Sequence, residues 1–424
     1  MHIPCSASAL TAAISGASSG ETVSLATLCR YELTAPLPAV LGNLAIQGNH
    51  ATIERSPAAG TPEFTILTVG GPPAYANNTV RITNLNLSNG APGIFVGSGI
   101  LSVGGGIFSG NTTAISTTFY TRLSVTGATF TGNTGKYGGA ISAGYDAMLN
   151  DSTFTGNSAQ LGGAVYVQYG KQAITHCRFA GNTATYGGGG LYDDGDVTMT
   201  GTTFTSNHAS VGGAVSIYDP VSAVLAVTRS AFIANSAQTG GAIYNYDGLT
   251  ATGSTFTANR ATQGGAVDQD WYATLTGDLF MRNTATASGG GMFAGYTTVV
   301  NGTTFALNTA GLDGGAIDNG VGSLDFAGPL TMTGSSIAGN SAGTDGGGIF
   351  NDSAERARAV LSRTALDGNE PDNCAPPGAF SGCAALATAT SGGRGGSRAM
   401  PPRSVPGHHG GHLPRLLLRE LTGR

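Results

Sequence analysis

A short motif recurs along most of this chain at a period of 24 or 25 residues, and no other feature constrains the fold as strongly. A phenylalanine is followed three residues later by an asparagine, then by a Gly-Gly pair, a small residue and an aliphatic residue. A unit this short cannot bury its own apolar face, so it must stack on its neighbours. The aromatic/asparagine pairs are Phe130/Asn133, Phe154/Asn157, Phe179/Asn182, Phe204/Asn207, Phe232/Asn235, Phe256/Asn259, Phe280/Asn283 and Phe305/Asn308, continued by Ile337/Asn340 and Leu366/Asn369.

The unit is predicted to consist of strands rather than helices. Gly pairs and β-branched runs are poor helix material, and apolar residues alternate with polar ones, as in strands. Three apolar columns recur in each unit, one before the Phe, one at the Phe and one after the Gly pair. We therefore expect an all-β, right-handed parallel β-helix with three short strands per coil, stacked about 4.8 Å apart.

Each recurring position of the unit has a structural explanation. Phe is predicted to fill the interior and to stack on the Phe of the next coil. Asn tolerates left-handed backbone and can bond neighbouring backbone groups, so a ladder of Asn side chains can hold the corner. The Gly pair allows backbone angles that other residues avoid.

The combination of GGA[ILV] with FxxN resembles the repeat of the polymorphic outer-membrane proteins and of related secreted bacterial right-handed parallel β-helix proteins. The resemblance covers about Gly104–Asn369, with both motifs in step. It implies a β-helix that is secreted or exposed at a cell surface. Polymorphic outer-membrane proteins end in a membrane β-barrel, for which we find neither room nor pattern here.

Both ends of the predicted rod need a cover. Ser6–Ser18 is predicted to be a short helix with Leu10 and Ile14 on one face, suited to an N-terminal lid. We therefore divide the chain into a cap (residues 1–30), the β-helix with irregular first coils and a C-terminal cap (31–383), and a disordered low-complexity tail (384–424).

Four of the five cysteines lie near the two ends. Cys5 and Cys29 flank the lid, whereas Cys374 and Cys383 flank a short segment after the last coil. Of the three possible pairings, one joins neighbours at each end, and it predicts two disulfides and an oxidising compartment. Cys177 lies in an inward column of small residues and is predicted to be a buried free thiol.

Charge excludes one class of partner. The tail from Ala384 contains six Arg and one Glu, or +5, and the chain carries −5, so residues 1–383 carry −10. An acidic body is unsuited to nucleic acid, which needs clustered Lys and Arg. No apolar run reaches transmembrane length, and no signal peptide is visible. We expect a monomer without a cofactor or metal.

Tyr and Asp are concentrated on one predicted outward file, at the first and third positions after the aliphatic residue of the Gly-Gly strand. Rings can stack on sugar faces while carboxylates accept hydrogen bonds from hydroxyl groups, so this file predicts polysaccharide binding. Three repeats also carry insertions just after this strand, and insertions on one face mark binding faces. The candidate ligand-binding residues are Tyr166, Tyr192, Asp194, Tyr218, Tyr244, Tyr246, Asp268 and Asp270.

Asp268 and Asp270 leave an enzymatic alternative open. They lie two residues apart on one predicted face, roughly 6.6 Å between Cα atoms, in the range of an inverting glycosidase pair. With exposed Tyr and water around them, both are expected to stay ionised near neutral pH, which does not suit an acid/base pair. The favoured function is an adhesin-like scaffold, and the alternative is a polysaccharide hydrolase or lyase.

Overall fold

The chain folds into a parallel β-helix of about 14 turns, as predicted. The structure, a computed structural model, describes residues 1–71, 78–119, 121–218, 223–320, 328–352 and 359–383. The predicted tail, residues 384–424, lies outside the described residues. Each regular coil contributes one strand to each of three parallel sheets, here named sheets A, B and C.

Sheet A contains the apolar column that precedes each Phe, and its neighbouring strands pair in register. Among the described residues, its strands are His2–Ile3, Glu21–Leu25, Leu44–Gln47, Thr79–Thr83, Gly99–Gly104, Thr121–Thr126, Ala147–Asn150, Lys171–Thr175, Asp196–Thr200, Val224–Thr228, Gly248–Thr252, Tyr272–Thr276, Thr298–Asn301, Leu330–Thr333, Ala359–Ser362 and Phe380–Ser381.

Sheet B contains the Phe column. Its strands, within the residues that the structure describes, are Arg30–Leu33, Thr52–Arg55, Asn86–Ser88, Ile107–Ser109, Thr129–Thr131, Thr153–Thr155, Arg178–Ala180, Thr203–Thr205, Ala231–Ile233, Thr255–Thr257, Leu279–Met281, Thr304–Ala306, Ser336–Ala338 and Ala365–Asp367.

In the regular repeats, each strand of sheet C follows the Gly pair. Its strands in the described part of the chain are Leu67–Val69, Ile94–Val96, Ile115–Thr117, Ile141–Ala143, Val165–Val167, Leu191–Asp193, Val215–Ile217, Ile243–Asn245, Val267–Gln269, Met292–Ala294, Ile317–Asn319, Ile349–Asn351 and Cys374–Ala375.

The Phe column stacks through the interior as predicted. Phe108 and the eight Phe of the repeat are fully buried, and consecutive rings lie nearly parallel. Their centroids are 4.5 Å apart at the closest, between Phe179 and Phe204, and 5.2 Å apart between Phe204 and Phe232. The rings can stack at the spacing of neighbouring strands because parallel strands pair in register, which places each ring directly over the next.

The predicted Asn ladder is also present. In every pair of neighbouring coils from Asn111 to Asn369, the Nδ2 of one Asn donates to the Oδ1 of the next at 2.9–3.0 Å. The same oxygen accepts from the preceding Asn backbone N–H, for example Asn133 to Asn157 at 3.0 Å. Left-handed backbone is adopted by the residue before the Asn, such as Gly156 or Ser206, and not by the Asn itself.

The two glycines of the pair are required for different reasons. Gly162 has φ +60°, and a Cβ there would lie 2.1 Å from the carbonyl oxygen of Val165, so the first Gly makes a tight turn. A Cβ on Gly163 would lie 2.3 Å from the carbonyl oxygen of Gly189, so the second Gly lets two coils approach closely. The prediction from backbone freedom explains only the first position.

Both ends have the predicted features. The helix spans Ala7–Gly16, its N-cap Ser6 accepts from the Ala9 N–H, and Leu10 and Ile14 are buried. Disulfides join Cys5 to Cys29 and Cys374 to Cys383, with Cα atoms 5.6 and 6.6 Å apart.

Two further points concern single features of the chain. Cys177 is a buried free thiol as predicted, and burial raises its pKa to about 11. In the described part of the chain, no helix has the length and apolar character needed to span a bilayer.

A fourth column of backbone lies outside the three sheets. We call it the lateral column, meaning the segments between each Asn and the following Gly pair from residue 134 to residue 346. Isolated bridges and short strands connect it from coil to coil, for example Thr134 to Ser158 and His208 to Ser236. Its strands are Ser158–Leu161, Thr183–Gly187, Arg260–Ala261, Thr284–Ala285, Thr309–Ala310 and Ser341–Ala342.

Candidate functional site

The outer face of sheet C is covered, contrary to the sequence prediction. The first residue after each aliphatic position does leave the core. The tight turn at the first Gly, however, brings the preceding lateral column back over it. We call these residues the covered file, in which Ser142 and Phe350 are partly exposed and the others are buried: Ser142, Tyr166, Tyr192, Ser216, Tyr244, Asp268, Phe293, Asp318 and Phe350.

Contacts between the lateral column and the covered file show how close this packing is. Leu161, Tyr166 and Tyr192 form a small apolar cluster of their own, outside the main core. The Tyr166 and Tyr192 rings stack with centroids 5.7 Å apart. A Cβ on Gly187 would lie 2.9 Å from the Tyr192 ring, so the lateral backbone passes directly over that ring.

Five of the predicted ligand-binding residues are therefore buried. Tyr192 and Asp268 are each 1% exposed, and Tyr166, Tyr244 and Asp270 are nearly as inaccessible. The prediction that these side chains face solvent is wrong, because alternation along a strand reports the side of the sheet and not what packs against it.

The carboxyl groups of this file lie in a dry environment. The Tyr244 hydroxyl donates to Oδ2 of Asp270 at 2.9 Å. Burial, followed by the charge of Asp270, raises the pKa of Asp268 well above its ordinary value. Burial and the charge of Asp313 likewise raise the pKa of Asp318. The expectation that exposed Tyr side chains and water surround Asp268 is therefore wrong, because the residue is buried.

A hydrolytic role for Asp268 and Asp270 would require a substrate to reach both carboxyl groups. Both residues are buried, and a general acid must be within hydrogen-bond reach of the bond it protonates. Among the described residues, no group of three or more His, Cys, Asp or Glu is arranged to hold a metal ion.

The accessible aromatic side chains lie one step further along the chain, where sheet C turns into sheet A. Eight consecutive corners of this kind lie between Thr117 and Thr298, and the described parts of seven contain an aromatic residue. Phe119, Tyr145 and Tyr272 are 42–48% exposed, and the others are partly exposed. We call this set the corner row: Phe119, Tyr145, Tyr169, Tyr218, Tyr246, Trp271, Tyr272 and Tyr296.

Rings of the corner row contact each other across coils. Tyr218 and Tyr246 have centroids 5.4 Å apart. Trp271, Tyr272 and Tyr296 form a three-ring cluster with centroid distances of 5.4–5.7 Å. The row is thus an aromatic surface that runs parallel to the axis of the β-helix.

Carboxylates at the same corners are fixed by the neighbouring coil. Oδ1 of Asp146 accepts from the Lys171 backbone N–H at 3.0 Å, and Oδ1 of Asp196 accepts from the Val224 backbone N–H at 3.1 Å. The Lys171 ammonium lies 3.6 Å from Oδ2 of Asp196. The corners therefore combine rings with oriented acceptors.

Sequence reasoning found part of this surface. Among its ligand-binding candidates, Asp194, Tyr218 and Tyr246 lie at the corner and are partly exposed. It missed Phe119, Tyr169, Tyr272 and Tyr296. The signal was present, because several of the rings lie four residues after the aliphatic residue of the Gly-Gly strand.

The predicted insertions enter at the same corner. Each lies between a strand of sheet C and the next strand of sheet A, but most of their residues (219–222, 321–327 and 353–358) lie outside the described residues. Their proposed role as binding elements stays a prediction.

Comparison with known proteins supports the repeat type. Residues 151–168 match the Chlamydia polymorphic membrane protein repeat, which confirms the resemblance predicted from FxxN and GGA[ILV]. No curated protein matches the chain at a significant level. Among solved structures, the chain is similar to tailspike protein 3 of bacteriophage CBA120 at 14% identity and a TM-score of 0.43. That similarity covers 90% of this chain and 59% of the tailspike chain.

Proposed function

We propose that this chain is a surface or extracellular β-helix scaffold, adhesin-like in role, that binds a polysaccharide along the corner row. The observation that carries the proposal is the row itself, an aromatic residue at seven of eight consecutive corners. Tyr and Trp rings present apolar faces with polar edges, which suits sugars, whose rings have apolar faces and hydroxyl edges. Carboxylates beside the rings are acceptors for those hydroxyl groups.

The length of the row favours a polymer over a single sugar. Seven coil steps at roughly 4.8 Å place Phe119 and Tyr296 about 34 Å apart along the axis. Each step is close to the length of one sugar residue in a chain. A polysaccharide lying along the axis therefore meets a ring at nearly every sugar.

Two observations support a location outside the cytoplasm. Disulfides close both ends of the rod, and disulfides persist in oxidising compartments. The matching repeat is named for a membrane protein family, which agrees with a surface role.

The decisive experiment is retention of the full-length protein on a panel of immobilised polysaccharides. The variant Trp271→Ser/Tyr272→Ser/Tyr296→Ser removes the three-ring cluster and should weaken retention by about tenfold or more, equivalent to roughly 1.4 kcal/mol. The control Ile233→Ser/Leu307→Ser removes two exposed apolar side chains of other faces and should bind as wild type. Unchanged retention by the triple variant, with its unfolding midpoint preserved, would contradict the proposal.

The same panel tests the hydrolase alternative. Because Asp268 and Asp270 are buried, we expect no release of oligosaccharides from any retained polymer. If oligosaccharides are released by the wild-type protein but by neither Asp268→Asn nor Asp270→Asn, the protein is an enzyme and the scaffold proposal is wrong.

A further inference from the structure

Resting on the proposed function, we infer that the corner row selects polysaccharides without acidic groups and rejects polyuronates and other anionic polymers. The inference comes from the charges that the β-helix places beside the rings, and it names the class of glycan rather than one sugar.

The described residues of the eight corners have a strongly one-sided charge. Each corner is counted from the residue after the sheet C strand to the first residue of the next sheet A strand. So counted, the eight corners include five carboxyl groups and one cation, Lys171, among their described residues. The carboxyl groups belong to Asp146, Asp194, Asp196, Asp247 and Asp270. Asp270 is buried, whereas the other four are partly exposed, so four negative charges line the surface on which the rings lie.

The cation offsets only one of these charges. The Lys171 ammonium lies 3.6 Å from Asp196, so the negative charges of Asp146, Asp194 and Asp247 exceed the positive charge of the corners. The Asp146 and Asp196 carboxylates are held by backbone N–H groups of the next coil. These two carboxylates are therefore fixed in position when a ligand approaches.

The spacing of the corner carboxylates lets their charge discriminate between acidic and uncharged polymers. A polyuronate carries a negative charge on every sugar, and each sugar is about as long as one coil step of roughly 4.8 Å. Any register that stacks its sugars on the rings also brings some of its carboxylates near the corner carboxylates. Like charges facing each other across an interface exclude wrong partners, whereas hydroxyl groups of an uncharged polymer donate to the same oxygens.

The test uses matched pairs of immobilised polymers, each with one backbone and two charge states. Methyl-esterified pectin is paired with polygalacturonate, and cellulose and a β-1,3-glucan are each paired with their carboxymethyl derivatives. For each backbone that retains the full-length protein, the uncharged member should bind about tenfold more tightly or better at low salt. The difference in affinity between the two members of a pair should decrease as salt screens the repulsion.

Equal retention of both members of a retained pair, or preference for the acidic member, would overturn the selectivity while leaving glycan binding in place. Retention of no polymer in any pair would instead overturn the proposed function, and the selectivity with it.

Removing the charges provides the second measurement. Asp194→Asn/Asp247→Asn keeps the shape of the corners and should reduce the discrimination between paired polymers several-fold. Asp345→Asn, an exposed carboxylate on the lateral column, is the matched control and should discriminate as wild type. Full discrimination in the double variant would assign the preference to something other than these charges.

Discussion

The covered file and the corner row are built from the same residue types, yet only one of them reaches solvent. Tyr192, in the covered file, is 1% exposed, and Tyr145, four residues after the equivalent aliphatic position of another coil, is 42% exposed. The difference comes from the lateral column. The tight turn at the first Gly of each pair folds this column over the covered file, and the column ends before it reaches the corner row. A side chain that points away from the core is thus not necessarily a surface side chain.

The largest expected effect comes from truncating one ring in each region. Tyr192→Ala should lower the free energy of unfolding by about 3–5 kcal/mol, because it opens a cavity beneath the lateral column. Tyr145→Ala should change it by less than about 0.5 kcal/mol, as expected for a surface site. Urea unfolding followed by circular dichroism measures both. Similar losses in the two variants would remove the distinction between the regions.

The cover itself can be tested with two Gly→Ala substitutions, neither at a left-handed position. In Gly187→Ala the new methyl group would lie 2.9 Å from the Tyr192 ring, and overpacking of this kind should cost about 1–3 kcal/mol. In Gly248→Ala, at a corner, the nearest atom would be 3.6 Å away. That change should be neutral or slightly stabilising, because Ala restricts the unfolded chain. Equal thermal unfolding midpoints would mean that the lateral column does not press on the covered file.

The pH dependence of stability should report the buried carboxyl groups. Burial raises the folded-state pKa of Asp268, Asp318 and Asp193, so the folded protein binds more protons than the unfolded chain. The stability that they contribute is complete below about pH 4, the unfolded pKa, and is lost as pH rises through the folded values. Asp278, whose pKa is raised to about 6 mainly by burial, contributes between about pH 4 and 6.

Asp268→Asn isolates the contribution of one covered group. The amide is neutral at every pH, so this variant should lose less stability than wild type between pH 4 and pH 8. The difference is roughly 1.4 kcal/mol for each unit by which the folded pKa exceeds the unfolded one. Urea unfolding of both proteins at each pH measures the difference. A wild-type profile for Asp268→Asn would show that its carboxyl group is not in a dry environment.

The smallest effect concerns the corner row alone. Trp271 is the single Trp of the chain, so its fluorescence reports on one position of the row. Adding a retained polysaccharide should shift its emission to shorter wavelength and reduce quenching by acrylamide, because stacking removes the ring from water. Trp271→Phe removes the signal and serves as the control. Unchanged emission at saturating polymer would place the binding surface elsewhere.

The sequence by itself determined most of the architecture. Period, strand number, the buried Phe column, the Asn ladder, the helix at the N-terminus and both disulfides could be predicted, because in a stacked repeat each residue meets its counterpart one period away. The need for two glycines was visible in the sequence. The reason for the second was not, because the close approach at Gly163 is between backbones of different coils.

Only the tertiary structure decided which polar and aromatic residues are accessible. Alternation assigns Tyr192 and Asp268 to the outer side of a strand, but it carries no information about a segment that packs there from outside. Trp271 and Tyr296 are accessible because the lateral column ends before it reaches them. The point at which the column ends is set by the turn at the preceding glycine and by the packing of whole coils. No pattern within a single strand encodes that packing.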